Sequence, residues 1–418
     1  MTGTMIHRFG YRIKEKIHIY RFLLRFSWLY IASMIGFVAG IFAAIIEPPI
    51  LIIGFVLTLI SSLFGVVQFA SDIRDMNRRS SRFYAIDVNP SILRSLKPSD
   101  TYKDYRFVNL KEHRALYSPS LNKLIAATSL EFKMEKEEFR LSPEAMKIAP
   151  FAILRKSGEG RIIFNDAKVR LKTDPMIKTF ESNEQVMLQP THYFATLCTN
   201  DITCKEIWER ETKVKMYDGL SFMSNNGILL DLQQSKCSNH LGGSVLAFTR
   251  DGFLVILVQS KESAMSPNLL APSGSGSFDF RDFEHNPRNF IIDALERELT
   301  EECGLVSDIK KGKKIHIRTR LIGFARDMDR GGKPEFFGVS CMDIPFESLK
   351  IAKDEAVFAS DIDGIRNRVS NTEELMEDLA RYIRRNRNKM SFPLYLNLTF
   401  LIDFLRTYPL LFADMTGK

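Results

Sequence analysis

Cysteine is scarce in this 418-residue chain: there are five, an odd number, and no two form a C-x-x-C pair. That excludes a disulfide scaffold and argues against a zinc site, leaving buried free thiols as the reading for all five. No internal repeat and no long low-complexity stretch is present, which excludes a fibrous repeat. A hydrophobic content of 45% excludes a disordered chain. Most of the chain also lacks net charge. Of the formal +8, residues 1–25 hold six Lys or Arg against one Glu, and residues 71–82 hold four Arg against two Asp. The remainder is almost neutral. A pI near 9.1 is therefore no sign of nucleic-acid binding, and no direct nucleic-acid partner is expected.

A mean hydropathy of -0.10 averages two unlike regions. Residues 26–46 (FSWLYIASMIGFVAGIFAAII) and residues 50–70 contain no charge, and Glu47-Pro48-Pro49 separates them. A helix of about 20 residues spans roughly 30 Å, one hydrocarbon core. The two runs predict a transmembrane hairpin in the lipid bilayer. The flanking Lys and Arg place both termini in the cytosol, as in a multi-pass inner (cytoplasmic) membrane protein. Residues 1–25 read as a basic cytosolic or interfacial segment, with Ile6, Ile13, Ile17 and Phe22 toward lipid. Ala32, Ser33, Gly36, Ala39, Gly40 and Ala43 offer a small-residue face for a homo-oligomer.

The rest divides into a basic linker (71–82), an α+β accessory domain (83–235), a second domain (236–365) and a C-terminal helical segment (366–418). In the accessory domain, residues 106–110, 152–155 and 192–197 read as strands. Residues 119–131 read as a helix. Residues 161–165 and 168–171 read as a hairpin after Ser157-Gly158-Glu159-Gly160. In the second domain, residues 242–248 and 253–259 flank Arg250-Asp251-Gly252, a strong hairpin signal. Residues 270–277 (LAPSGSGS) read as a flexible loop. Asn286 and Pro287 suit the start of a helix that ends near Gly304. Residues 321–325 and 335–339 form another hairpin. His240 and His285 read as surface or turn histidines, and Glu335 as a candidate additional acid.

The helix before Gly304 carries the chemistry. At about 100° per residue, Ile291, Ile292, Leu295 and Leu299 form one apolar stripe. Glu302 falls inside that stripe, Glu298 at its edge, and Glu301 beside Arg297. Carboxylates crowded near an apolar face need a positive partner. Oxygen ligands at this spacing suit Mg²⁺ or Mn²⁺, and Arg297 can pair with Glu301 one turn away.

Arg297, Glu298, Leu299, Glu301, Glu302, Gly304 and Leu305 resemble the second half of the Nudix box, R-E-U-x-E-E-x-G-U. The resemblance covers about residues 237–365. It implies an α/β/α sandwich around a mixed sheet and hydrolysis of a nucleotide-derived small molecule, a nucleoside diphosphate linked to another moiety. It gives Glu298, Glu301 and Glu302 as ligands for Mg²⁺ or Mn²⁺, Glu301 and Arg297 as the catalytic pair, and Gly274 and Gly276 as the cofactor-binding loop. The first half of the box departs. Asn289 stands for its glutamate and Phe283 for its glycine, so Glu284 or Asp293 are candidate replacements. The whole chain thus reads as α/β: a two-helix transmembrane hairpin, an α+β accessory domain and a Nudix-like α/β/α sandwich. The alternative is architectural. Two N-terminal spans joined to a cytosolic nucleotide-binding module resemble the membrane effectors of bacterial anti-phage cyclic-oligonucleotide (CBASS) signalling.

Overall fold

A computed structural model of the chain describes residues 2–23, 35, 48–102, 104–159, 162–182, 184–259, 268–350, 359–366 and 371–417. They divide into two compact units.

The first unit comprises Met1–Ile86, Pro143–Asn165 and Ile207–Tyr217. A helix over Thr2–Leu23 docks through polar contacts on a following segment. Fully buried Glu15 takes the Ile163 amide at 3.3 Å and the Arg12 guanidinium at 2.8 Å. His18 Nδ1 accepts from the Asn165 amide at 3.0 Å. On this helix Ile19 is buried, while Ile13 and Ile17 are exposed. The helix Pro48–Ser81 takes in the second uncharged run and continues unbroken through Asp72, Arg74, Asp75, Arg78 and Arg79. It packs along a helix over Pro143–Gly158. Its Ile60, Leu63 and Val67 are exposed and its Met76 is buried.

Among the described residues, no single helix is long and apolar enough to cross a membrane. The expected two-helix transmembrane hairpin, and the multi-pass membrane protein built on it, are corrected accordingly. Its first run, 26–46, lies outside the described residues except Ile35. The second belongs to a longer helix whose last turns are charged, so an uncharged run does not by itself define a span. One bent pair, Phe392–Thr407 with Pro409–Thr416 at 105°, passes the length and composition test only when joined. Its Leu394, Leu398, Leu401, Phe404 and Phe412 are buried in the protein core.

The expected strand over 152–155 is also corrected. Those residues sit inside the helix Pro143–Gly158, where Ala145, Ile148, Ala149, Ala152 and Ile153 repeat at helical spacing and are buried.

The second unit holds Asp87–Ser142, Asp166–Glu206 and Asp218–Lys418. In chain order its main elements are β1 (Arg106–Leu110), β2 (His113–Tyr117), α1 (Pro119–Ala127), β3 (Phe132–Met134), β4 (Ala167–Leu171), β5 (Val186–His192), β6 (Gly242–Thr249), β7 (Phe253–Gln259), β8 (Leu270–Ala271), β9 (Gly274–Ser277), α2 (Phe280–His285), α3 (Phe290–Glu302), β10 (Ile317–Asp327), β11 (Lys333–Met342), β12 (Ala359–Arg366), α4 (Thr372–Asn386), α5 (Phe392–Thr407) and α6 (Pro409–Thr416). Residues 193–197, expected as strand, turn into a short helix directly after β5.

A nine-stranded mixed sheet runs β8-β7-β6-β11-β10-β2-β1, with β9 added on β6 and β12 on β7. β6 and β11 pair in parallel from Gly242↔Glu335 to Thr249↔Met342, and the other pairings are antiparallel. Side chains alternate between two cores, as the period of a strand requires. Val245 and Ala247 of β6 join Leu295 and Leu299 of α3 on one face. Leu246 and Phe248 join Phe404 and Phe412 of the C-terminal helices on the other. The sheet therefore has helices on both faces, and it recruits β1, β2 and α4–α6 from outside residues 236–365. A smaller sheet, β3-β5-β4, stands apart from it in the strand order.

Candidate active site

The hairpin β6–β7 turns at Gly252, whose φ of +86° suits glycine, and the following chain returns along β6 as β9. Gly274-Ser275-Gly276-Ser277 is therefore strand, in register with residues 242–245, and the expected flexible loop is corrected. The glycines are there for close approach. A Cβ on Gly274 would lie 2.7 Å from the Leu299 backbone, and one on Gly276 would enter the Glu298 carboxylate. With neither present, α3 lies directly on β9. Gly274 is filled by the helix backbone, and Gly276 leaves its main chain beside the Glu298 carboxylate.

Helix α3 begins at Phe290, later than the expected start at Asn286. Asn286 is already committed: its amide closes α2 on the Asp282 carbonyl at 3.3 Å, and its side chain donates to Asp293 at 2.9 Å. The far end is as expected, with Gly304 left-handed at φ +68° just past the last turn. Ile291, Leu295 and Leu299 are buried, with Phe290 and Ala294 beside them.

Arg297 is the centre of the site. Its Nε and Nη2 donate to the two oxygens of Asp282, both at 2.9 Å. Its Nη1 reaches Glu301 Oε2 at 3.1 Å and Glu298 Oε1 at 2.9 Å. A planar guanidinium suits this arrangement, gripping one carboxylate with two donors and sharing the rest. Burial alone lowers the Arg297 pKa, and Asp282, Glu298 and Glu301 reverse that and raise it. Burial pushes Glu298 up to about 7, with Glu301 adding to the rise and Arg297 and Lys168 opposing it. Glu301 is raised as well, again mainly by burial. Glu302 is the last residue of the helix and is half-buried.

Asp282 was not among the expected residues. The departure in the first half of the box points to Glu284 or Asp293, yet the acid on Arg297 comes from α2, fifteen positions upstream. Its signal in the sequence is the capping pair Asp279/Asp282 opening α2, where the Asp279 amide donates to Asp282 Oδ2 at 2.9 Å. Lys168 of β4 was missed too. Its ammonium pairs with Asp279, and its charge opposes the rise of the Glu298 pKa.

Glu335 is held by Lys333 at 2.8 Å. His240, expected at the surface, is 1% exposed and bonded to Thr196 Oγ1, and burial holds its pKa well below the usual histidine range. Its neighbour Leu241 joins β4, its amide donating to the Val169 carbonyl at 2.8 Å, which carries position 240 inside. His285 lines an open depression of about 550 Å³ with Arg281, Asp282, Glu284, Asp293 and Arg297. Among the described residues, no three or more His, Cys, Asp or Glu side chains are gathered to hold a metal ion. Arg297 stands among the acids. The donors on offer are carboxylate oxygens, which suit Mg²⁺ or Mn²⁺.

No family model matches the sequence, and no curated protein matches it. Among solved structures, DR0079 from Deinococcus radiodurans is similar at 16% identity and a TM-score of 0.25, covering 38% of this chain and 80% of that one.

Proposed function

We propose that the chain is a hydrolase that uses Mg²⁺ or Mn²⁺ to cleave a nucleoside-diphosphate-linked substrate. The observation that carries this reading is the charge balance of the site. Asp282, Glu298 and Glu301 gather on Arg297 and Asp279 pairs with Lys168, four acids against two cations, and each of the three Arg297 nitrogens is already bonded to an acid. With Glu298 and Glu301 ionised, the acids exceed the cations by two charges beside a depression open to solvent, and a divalent cation would match that surplus.

Glu298, Glu301 and Glu302 would hold the metal, which when bound neutralises a diphosphate and activates water. Arg297 orients Glu301, and Asp282 fixes Arg297 from behind. Glu298, with a pKa near 7, holds or releases a proton at neutral pH. Gly276 keeps the strand from crowding that carboxylate.

The test is a panel of nucleotide substrates offered to the purified full chain with Mg²⁺. Metal-dependent cleavage of a phosphate bond, reduced at least about 10²-fold in Glu301→Gln plus Glu302→Gln, is expected. Binding of a cyclic oligonucleotide with no cleavage of any substrate would replace the hydrolase with a sensing module.

A further inference from the structure

We propose that Lys168 is a substrate-binding residue of this site, placed there to take an oxygen of a phosphate-bearing ligand. The inference rests on the hydrolase reading and adds to it a residue from outside the region that resembles the Nudix box.

The placement is built by the backbone. β4 lies between the chain entering β6 and the chain leaving β9. The Leu241 amide donates to the Val169 carbonyl at 2.8 Å, the Leu171 amide to Asn239 at 3.1 Å, and the Val169 amide to Phe278 at 3.4 Å. Lys168 and Asp279 sit opposite each other across an isolated bridge. A distant segment is thus stitched to the chain on either side of the carboxylate site, and its lysine is fixed beside Asp279 at the start of α2. The Lys168 side chain is 10% exposed and the Asp279 carboxylate 34% exposed. Asp279 is joined in turn to the site, its amide donating to Asp282, the acid that grips Arg297.

The two cations of the site differ. Arg297 spends its donors on three carboxylates and is a positioning residue. Among the described residues, Lys168 has one ion-pair partner, Asp279, for three N–H donors. A divalent cation held by Glu298 and Glu301 would leave Lys168 paired with Asp279, whose carboxylate is 34% exposed. A diphosphate brings more negative charge than one divalent ion neutralises, and an ammonium is a point charge suited to a phosphate oxygen.

Inorganic pyrophosphate with Mg²⁺ is the probe, titrated into the full chain by calorimetry. Mn²⁺ affinity without phosphate and thermal unfolding are measured on the same samples. Lys168→Met should weaken pyrophosphate binding roughly 10- to 100-fold, the worth of one charged hydrogen bond. It should leave Mn²⁺ affinity unchanged or tighter, because a competing positive charge is gone. Lys168→Arg should fall between, and Asp279→Asn, which frees the lysine, should bind pyrophosphate at least as well as wild type. Unchanged pyrophosphate affinity in Lys168→Met overturns the proposal. So does loss of pyrophosphate and Mn²⁺ together in both Lys168→Met and Asp279→Asn, which would make the pair a structural clasp. Wild type that fails to bind pyrophosphate also overturns it. Wild type that binds pyrophosphate but cleaves nothing overturns the hydrolase reading alone, because the Lys168 effect is still read from the titration.

Discussion

Two arginines in the second unit are each wrapped in polar partners, and their settings differ. Arg326 of β10 is 0% exposed. Its Nε donates to the Gly332 carbonyl at 3.1 Å, and its Nη1 to the Leu230 carbonyl at 2.9 Å and to the Tyr102 hydroxyl. Asp174 lies 3.6 Å away and is itself tied to the Leu232 amide. There the charges balance one for one and water is excluded. Arg297 is 27% exposed and faces three acids. The first arrangement holds chain segments together, because a buried charge must be matched where it sits. The second leaves more acid than base beside solvent, the setting in which a ligand could be held at a cost in stability. The comparison teaches that surplus charge and access mark the site better than the number of hydrogen bonds.

The largest expected effect falls on the balanced pair. Arg326→Met should destabilise the fold by about 3–5 kcal/mol in chemical denaturation, because Asp174 is left buried without its partner. Adding Asp174→Asn should recover part of that loss. If the single variant costs less than about 1 kcal/mol, the contrast between the two arginines fails.

Asp282→Asn should show the reverse profile. An amide offers one acceptor where the carboxylate offers two, so Arg297 loses one of its paired bonds. The stability cost should be about 1–2 kcal/mol, with metal-dependent turnover falling roughly 10- to 100-fold. An unfolding midpoint that drops as far as in Arg326→Met would place Asp282 with the structural group.

The third expected effect is a pH dependence. Glu298 has a folded pKa of about 7, raised above the ordinary carboxylate value. The folded state therefore holds a proton that the unfolded chain has lost, and this group's contribution to stability falls as pH rises from about 4.5 to 7. Glu298→Gln should flatten that fall, so its unfolding midpoint should gain on wild type between pH 5 and pH 8. Mn²⁺ should bind wild type more tightly over the same rise, as the proton leaves. Parallel pH profiles for variant and wild type would show that the carboxylate is not held in this way.

Helix α3 was legible because its information is local. The stripe of Ile291, Leu295 and Leu299, the Arg297–Glu301 spacing and Gly304 all act within a few turns of one element. The β6–β7 hairpin was legible for the same reason, through Asp251-Gly252. The glycines at 274 and 276 were misread because flexibility and close packing call for the same residue, and only the approach of α3 separates them. Lys168 was not legible at all, and Asp282 only as a helix cap, not as the partner of Arg297. Their partners are fixed by how α2 folds back and by where β4 docks, and neither leaves a periodic trace.

The uncharged runs near the N-terminus carry a similar lesson. Composition and length describe a segment's preference for an apolar environment, and the helix that contains the second run is longer and more charged than that run. The sequence alone determined the carboxylate-rich helix, its end at Gly304 and the hairpins around Asp251-Gly252 and Gly331-Gly332, since these follow from backbone propensity and side-chain spacing. The expected hairpin of 161–165 with 168–171 does not form, because 167–171 pairs with 188–192. Which acid grips Arg297, which lysine joins the site and which apolar segments lie in the core were decided only by tertiary structure, because charge pairing and burial depend on distances that the chain sets by folding.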